Sequence, residues 1–317
     1  MINQVRPWEV IQQVAEAVPA ECRDNIVIIG SLAAAYAYFG NNDEMSVRTK
    51  DIDCMLKPFQ LAVEKGQAIS RQLLDAGWKP RQTDPGLFPG TPETPDDELP
   101  AIRLYPPGMD PENENAWFIE LLTVPESSRD QGKKWLRIVI NEGHFGLPSF
   151  RYLLIAAFEP VKIDQFGLYY AQPKMMVLAN MLEHPEIKPE RMSALFADLE
   201  IKRSNKDLGR VLAIGYLAEN TGLKDFHQWG HDWQYALQSC FPDEWKNLAK
   251  IAGMGLRKLL ESNEDLVEAH HTCANGLLSS YAVTQEELKE VGNRILGETV
   301  ETLEELAERQ SYPSSYL

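Results

Sequence analysis

The sequence predicts an α+β protein: a mixed sheet with flanking helices, followed by an all-helical C-terminal half. Three observations carry this expectation. Short β-branched runs bounded by polar or turn residues alternate with helix-period segments as far as Gln172. Beyond Gln172 the helical periodicity continues with few strand signals between segments. The length of 317 residues allows two domains, at roughly 150 residues each, which places residues 1–172 in one and 173–317 in the other.

In chain order, Trp8–Ala15 carries apolar residues at helical spacing, and Asn25–Ile29 reads as a buried β-branched strand. Ser31–Phe39 is Ala-rich and helical, closed by the stop signal Gly40-Asn41-Asn42. Asp51–Leu56 reads as a second strand and Phe59–Ala76 as a helix. Gln82–Pro100 is crowded with Pro, Asp and Glu and reads as a long solvated loop. Ala101–Tyr105 and Trp117–Thr123 read as strands joined by a Pro/Gly/Asn turn, and Leu136–Ile140, Tyr152–Ala157 and Gly167–Ala171 as further strands. In the second half, helices are expected over Lys174–Glu183, Pro189–Ile201, Asn205–Ala218, Glu244–Leu260, Glu264–Leu278 and Gln285–Arg309.

A composition of 44% hydrophobic, 25% charged and 9% aromatic residues is that of a soluble globular protein with a sizeable core. Apolar stretches such as Ile26–Ile29 and Tyr152–Phe158 are far too short to span a bilayer. The N-terminus shows no charged segment leading into an apolar core, so a cytoplasmic location is expected. Cys22, Cys54, Cys240 and Cys273 are scattered without a CxxC pair, which favours free thiols over disulfides or a zinc site. The net charge of −16 repels nucleic acid and anionic membranes. It argues against a long duplex as partner, but is compatible with a short RNA end or with a nucleotide bound as its Mg²⁺ complex.

Three features converge on one chemistry. Gly30-Ser31 stands where a buried strand turns into a helix. Gly lets a phosphate approach the backbone, Ser offers a hydroxyl, and the helix N-terminus presents N–H groups to an anion. By itself this pair is also ordinary turn and N-cap chemistry. Asp51 and Asp53 lie two apart on an apolar strand, on one face, with Cα atoms about 6.6 Å apart. Two such carboxylates repel, and a divalent cation resolves the conflict; a solvated strand end, with Asp51 paired to Arg48 or Lys50, resolves it too. Glu120 is a single carboxylate in the apolar run Trp117-Phe-Ile-Glu120-Leu-Leu, where an ion pair or a metal is needed if it is buried, and water suffices if it is not.

Together these parts resemble the nucleotidyltransferase superfamily of DNA polymerase beta, the CCA-adding enzymes and the aminoglycoside nucleotidyltransferases. The resemblance is closest to the AbiEii-type branch, the toxins of certain bacterial toxin–antitoxin pairs. In that branch a strand ends in Gly-Gly or Gly-Ser, an Ala/Leu-rich helix follows, and an Asp-Ile-Asp strand led by Arg and Ser/Thr comes next. Here these are Gly30-Ser31-Leu-Ala-Ala-Ala-Tyr and Arg48-Thr49-Lys50-Asp51-Ile52-Asp53. A looser echo, Arg203-Ser-Asn-Lys206-Asp207-Leu208, is similar to the branch's helical Arg…Lys-Asp motif. The resemblance covers Asn25–Asp207. It departs in having Glu120 where Asp is common, and no Lys near Leu178–Asn180 where members often carry one.

What the resemblance implies is transfer of an NMP from an NTP to a hydroxyl acceptor on an RNA end, a protein or a small molecule. Asp51, Asp53 and Glu120 would be the catalytic and metal-binding residues, with Mg²⁺ or Mn²⁺ as cofactor. Gly30, Ser31, Arg48, Thr49 and Lys206 would bind the nucleotide, and an antitoxin protein is an implied partner. The alternative is a catalytically inactive NTP-binding or protein-interaction module on the same fold, which the missing helical Lys favours.

Elsewhere, His227 and His231 share a helix face at i, i+4, as zinc ligands do, but lack a Glu after the first His and a nearby third ligand. His270-His271-x-Cys273 reads as packing and surface residues, and Trp229, Trp233 and Trp245 as core.

Overall fold

Helix-period and β-branched segments of the first half fold into a sheet flanked by helices, and the chain is an α+β protein. The computed structural model describes residues 4–309 except 43, 82–85, 87, 114, 131, 193, 223 and 224. It divides into two compact units, Met1–Gln172 and Pro173–Leu317.

The first unit comprises β1 (Gln4–Val5), α1 (Pro7–Ala17), β2 (Ile26–Ile28), α2 (Gly30–Phe39), β3 (Val47–Arg48), β4 (Asp51–Leu56) and α3 (Ala62–Asp75). It continues with β5 (Arg103–Leu104), β6 (Phe118–Thr123), β7 (Lys133–Ile140), β8 (Gly143–Phe150), α4 (Leu153–Ala156), β9 (Val161–Ile163) and β10 (Leu168–Tyr170). Among the described residues, the main sheet runs β7-β8-β6-β4-β2-β10-β9, with β5 also on β6. Pairings β4–β6, β6–β8 and β2–β10 are parallel, while β2–β4, β5–β6, β7–β8 and β9–β10 are antiparallel. In the central strands β2 and β4, Ile26, Val27, Ile28, Ile52, Met55 and Leu56 are fully enclosed, as strands covered on both faces require.

One strand expectation needs correction. Tyr152–Ala157 is not a strand; Leu153–Ala156 forms a single helical turn instead. A short apolar run cannot be told from a buried helical turn by periodicity. The strand lies just before it, in Gly143–Phe150, whose two glycines and Pro148 mask the alternation. The segment Gln82–Pro100 is a loop in its described part, with 82–85 and 87 outside the described residues. Its later stretch is held by Arg137 of β7, which donates to Asp96 Oδ1 at 2.8 Å and to the carbonyl of Thr91 at 3.1 Å, and also to that of Thr94.

The second unit comprises α5 (Pro173–Glu183), α6 (Arg203–Asn220), α7 (Phe226–Cys240), α8 (Trp245–Ala252), α9 (Met254–Glu261), α10 (Asn263–Ala274), α11 (Gln285–Arg294) and α12 (Glu301–Arg309). A π-helical turn, Ile295–Val300, joins the last two. The starts are written in sequence: Asp225 accepts from the Gln228 N–H, Ser262 from that of Asp265, and Thr284 with Glu287 forms a capping box. Trp229, Trp233 and Trp245 are core, and the enclosed Trp233 donates its indole N–H to the Lys174 carbonyl at 2.9 Å. Pro189–Ile201 is not a helix. Phe196 and Leu199 exchange backbone hydrogen bonds across Ala197 and Asp198, both left-handed with φ of 47° and 68°. His271 of α10 pins this turn through the Phe196 and Ala197 carbonyls, each 3.1 Å away, a tertiary contact that overrides local propensity. All four cysteines are free thiols, and Cys22, Cys54 and Cys273 are buried.

Candidate active site

The first four residues of strand β4 alternate. Ile52 and Cys54 are buried on one face, while Asp51 and Asp53 are half-buried on the other. On the adjacent parallel strand, Phe118 stands opposite Asp51 and Glu120 opposite Asp53. On the far side of Glu120, antiparallel β5 sets Arg103 opposite it. Cα partners in a ladder share a face, so Asp53, Glu120 and Arg103 form one lateral row, with Asp51 and Phe118 in the row beside it.

The turn from β2 into α2 closes over this row. The Ile29 N–H donates to the Asp53 carbonyl at 3.0 Å. Gly30 then adopts a left-handed conformation, φ +73°, and a β-carbon there would stand 2.8 Å from Asp53 Oδ2. The backbone thus lies directly against the carboxylate, a place only glycine fits. Helix α2 has no side-chain cap and no acidic residue in its first turn, so its positive end meets Asp53 without local competition. Ser31, half-buried, follows within that first turn. Gly30→Ala is expected to cost roughly 1–3 kcal/mol through the left-handed backbone alone, and to displace Asp53. Urea denaturation of the variant checks this; unchanged stability would mean that the turn relaxes freely.

Glu120 does not stand unaccompanied. Arg103 Nε donates to Glu120 Oε2 at 2.5 Å, and its guanidinium lies 5.1 Å from the centre of the Phe118 ring. Burial would lower the Arg103 pKa, but the charges of Glu120 and Asp51 outweigh it and hold the group above its ordinary value. Sequence reasoning missed this residue. Its signal was a lone cation in the apolar run Ala-Ile-Arg103-Leu-Tyr, the natural counter-charge to three carboxylates on one sheet face.

Of the other anticipated residues, Arg48 lies in β3, where it pairs with Gln4 of β1. Thr49 is buried, and its hydroxyl donates to the Asp51 carbonyl at 3.2 Å, tightening the entry to β4. Lys206 belongs to the second unit, on α6, where its charge acts on Asp207. Asp207 accepts from His184 Nε2 at 2.8 Å and has Arg210 at 3.8 Å. Burial pushes its carboxyl up, but these three cationic or donor partners prevail and hold it well below the usual carboxylate range.

Among the described residues, no three His, Cys, Asp or Glu side chains converge as a metal centre requires. At this sheet face Glu120 is engaged by Arg103 rather than gathered with the aspartates. Asp51 and Asp53 remain a pair of hard oxygen donors on one face, the kind of set that takes Mg²⁺ or Mn²⁺ when phosphate oxygens and water complete the shell. A cavity of about 540 Å³ in the same unit is lined by Gln4, Glu9, Gln13, Glu44, Met109 and Trp117, and does not include the Asp53 row.

Comparison with protein-family profiles, with curated proteins and with solved structures finds no match. Among the described residues, no helix is long and apolar enough to cross a membrane.

Proposed function

We propose that the protein is a metal-dependent nucleotidyltransferase, moving an NMP from an NTP to a hydroxyl acceptor at the Asp51–Asp53 face of the sheet. The observation that carries this reading is the approach of the Gly30 backbone to the Asp53 carboxylate. It brings the strand-to-helix turn and the acidic pair, twenty-odd residues apart in sequence, together. The Ser31 hydroxyl and the N–H groups at the start of α2 hold the phosphates. Asp51 and Asp53 hold Mg²⁺ or Mn²⁺, which supplies charge neutralisation at the phosphorus and a more acidic acceptor hydroxyl. Glu120 takes the proton from that hydroxyl; a P–O bond forms at the α-phosphorus, the α–β bridging bond breaks, and pyrophosphate leaves. The acceptor is an RNA end, a protein or a small molecule. The branch that the sequence resembles makes an antitoxin protein the partner to seek.

Pyrophosphate release from each of the four NTPs, with Mg²⁺ or Mn²⁺ and with RNA or small hydroxyl acceptors, tests the reading. Nucleotide binding without release would favour the inactive-module alternative, which the Arg103–Glu120 pair also favours because it occupies the third carboxylate. A charge-assisted hydrogen bond is worth about 1.5–3 kcal/mol. Arg103→Ala is therefore expected to tighten Mn²⁺ binding by about tenfold or more, read by titration. Unchanged Mn²⁺ affinity would show that Arg103 does not compete with the cation for Glu120.

A further inference from the structure

The second unit carries a pair of imidazoles that the proposed chemistry does not use. His227 and His231 are both exposed on α7 at i, i+4, a spacing that sets Cβ atoms about 5–6 Å apart on one face. Their ring centres are 5.2 Å apart and the rings are nearly perpendicular, at 78°. With metal–nitrogen bonds of roughly 2.0–2.1 Å, each ring centre lies about 3.2 Å from the cation, and a tetrahedral angle then separates two ring centres by about 5.2 Å. The rings already stand at the separation that one cation demands.

A second observation settles which nitrogen of His227 is offered. The Thr302 hydroxyl has a single proton, and it donates to the Glu298 carbonyl at 2.6 Å. At its 3.0 Å contact with His227 Nδ1 it therefore accepts, so in the neutral ring the proton sits on Nδ1 and the lone pair on Nε2. A histidine whose one nitrogen donates to a fixed oxygen while the other stays basic is the arrangement found around bound metals. The support is closely packed. Gly230, between the two histidines, lies so close to the segment before α12 that a β-carbon would stand 2.8 Å from the Thr299 carbonyl. That segment is the π-helical turn Ile295–Val300, and such turns are frequent at functional sites.

We propose that His227 and His231 form a two-imidazole site for a borderline transition dication of the zinc class. Imidazole nitrogens select such cations over Mg²⁺ and Ca²⁺, and the net charge of −16 draws cations to the surface. Among the described residues no third protein ligand joins the pair, so water or an incoming ligand completes the shell. The proposal is independent of the nucleotide reading, since it uses other residues and another class of cation.

The test is calorimetric titration of the full chain with ZnCl₂ and NiCl₂, repeated on His227→Gln, His231→Gln and Thr302→Val. One cation per chain is expected to depend on the pair, with its affinity falling at least tenfold in each histidine variant. Thr302→Val is expected to weaken binding by about tenfold, because both ligands remain but the tautomer is no longer held. The metal-free melting temperatures of the two histidine variants should match the wild type, as both side chains are exposed. Absence of binding, or an affinity unchanged in either histidine variant, overturns the proposal; a Thr302→Val affinity equal to the wild type overturns the orienting role.

Discussion

Replacing Asp53 with Ala is expected to abolish NMP transfer and, with it, the Mg²⁺-dependent stabilisation by nucleotide. Wild-type protein with its preferred NTP at about a hundred times the dissociation constant should gain roughly 2.7 kcal/mol of folded stability, a visible rise in melting temperature. The variant should gain none. The variant should still unfold cooperatively, because the half-buried Asp53 side chain is not part of the core. ATP, GTP, CTP and UTP are tested in turn, with and without Mg²⁺. A shift that persists in the variant would remove Asp53 from the site, and no shift with any nucleotide would remove the nucleotide.

Asp207→Ala should produce the largest loss of stability, about 3–5 kcal/mol within the second unit, since it leaves His184 and Arg210 around a vacated buried charge. The pH dependence follows from the depressed folded pKa. The native state keeps Asp207 ionised below the point, about pH 3.9, at which the unfolded chain protonates it. Its contribution is therefore complete above that pH and is lost as the pH falls through the folded value. The deficit of the variant should be full at pH 7 and pH 5 and should narrow below about pH 4. Hydrogen exchange at the amides of α6 reads this unit alone. A deficit that is the same at pH 7 and pH 3 would mean that Asp207 acts by shape rather than by charge.

Much of the fold was legible along the chain. Asp51–Leu56 is a strand because Ile52 and Cys54 alternate with two carboxylates, and the Ala-rich segment after Gly30 is a helix that stops at Gly40. The segments that misled were those where distant partners decide. Phe196–Leu199 turns because His271, over seventy residues away, binds its carbonyls. Gly143–Phe150 pairs with β7 along its whole length although its glycines and proline hide the pattern. At the candidate site, the carboxylates and Arg103 each stand out as charges in apolar runs, but the pairing of Arg103 with Glu120 was not readable, because no spacing rule links position 103 to position 120.

Residue order by itself therefore determined the α+β class, the change to helices after Gln172, the strand that carries Asp51 and Asp53, and the glycine that turns from strand to helix. These depend on periodicity and backbone freedom, which are local. Only the tertiary structure decided that Glu120 stands level with Asp53, that Arg103 completes the row, and that Gly30 touches the Asp53 carboxylate. Strand order and register are chosen by the burial of the whole sheet, so the company a side chain keeps is a property of the assembled fold.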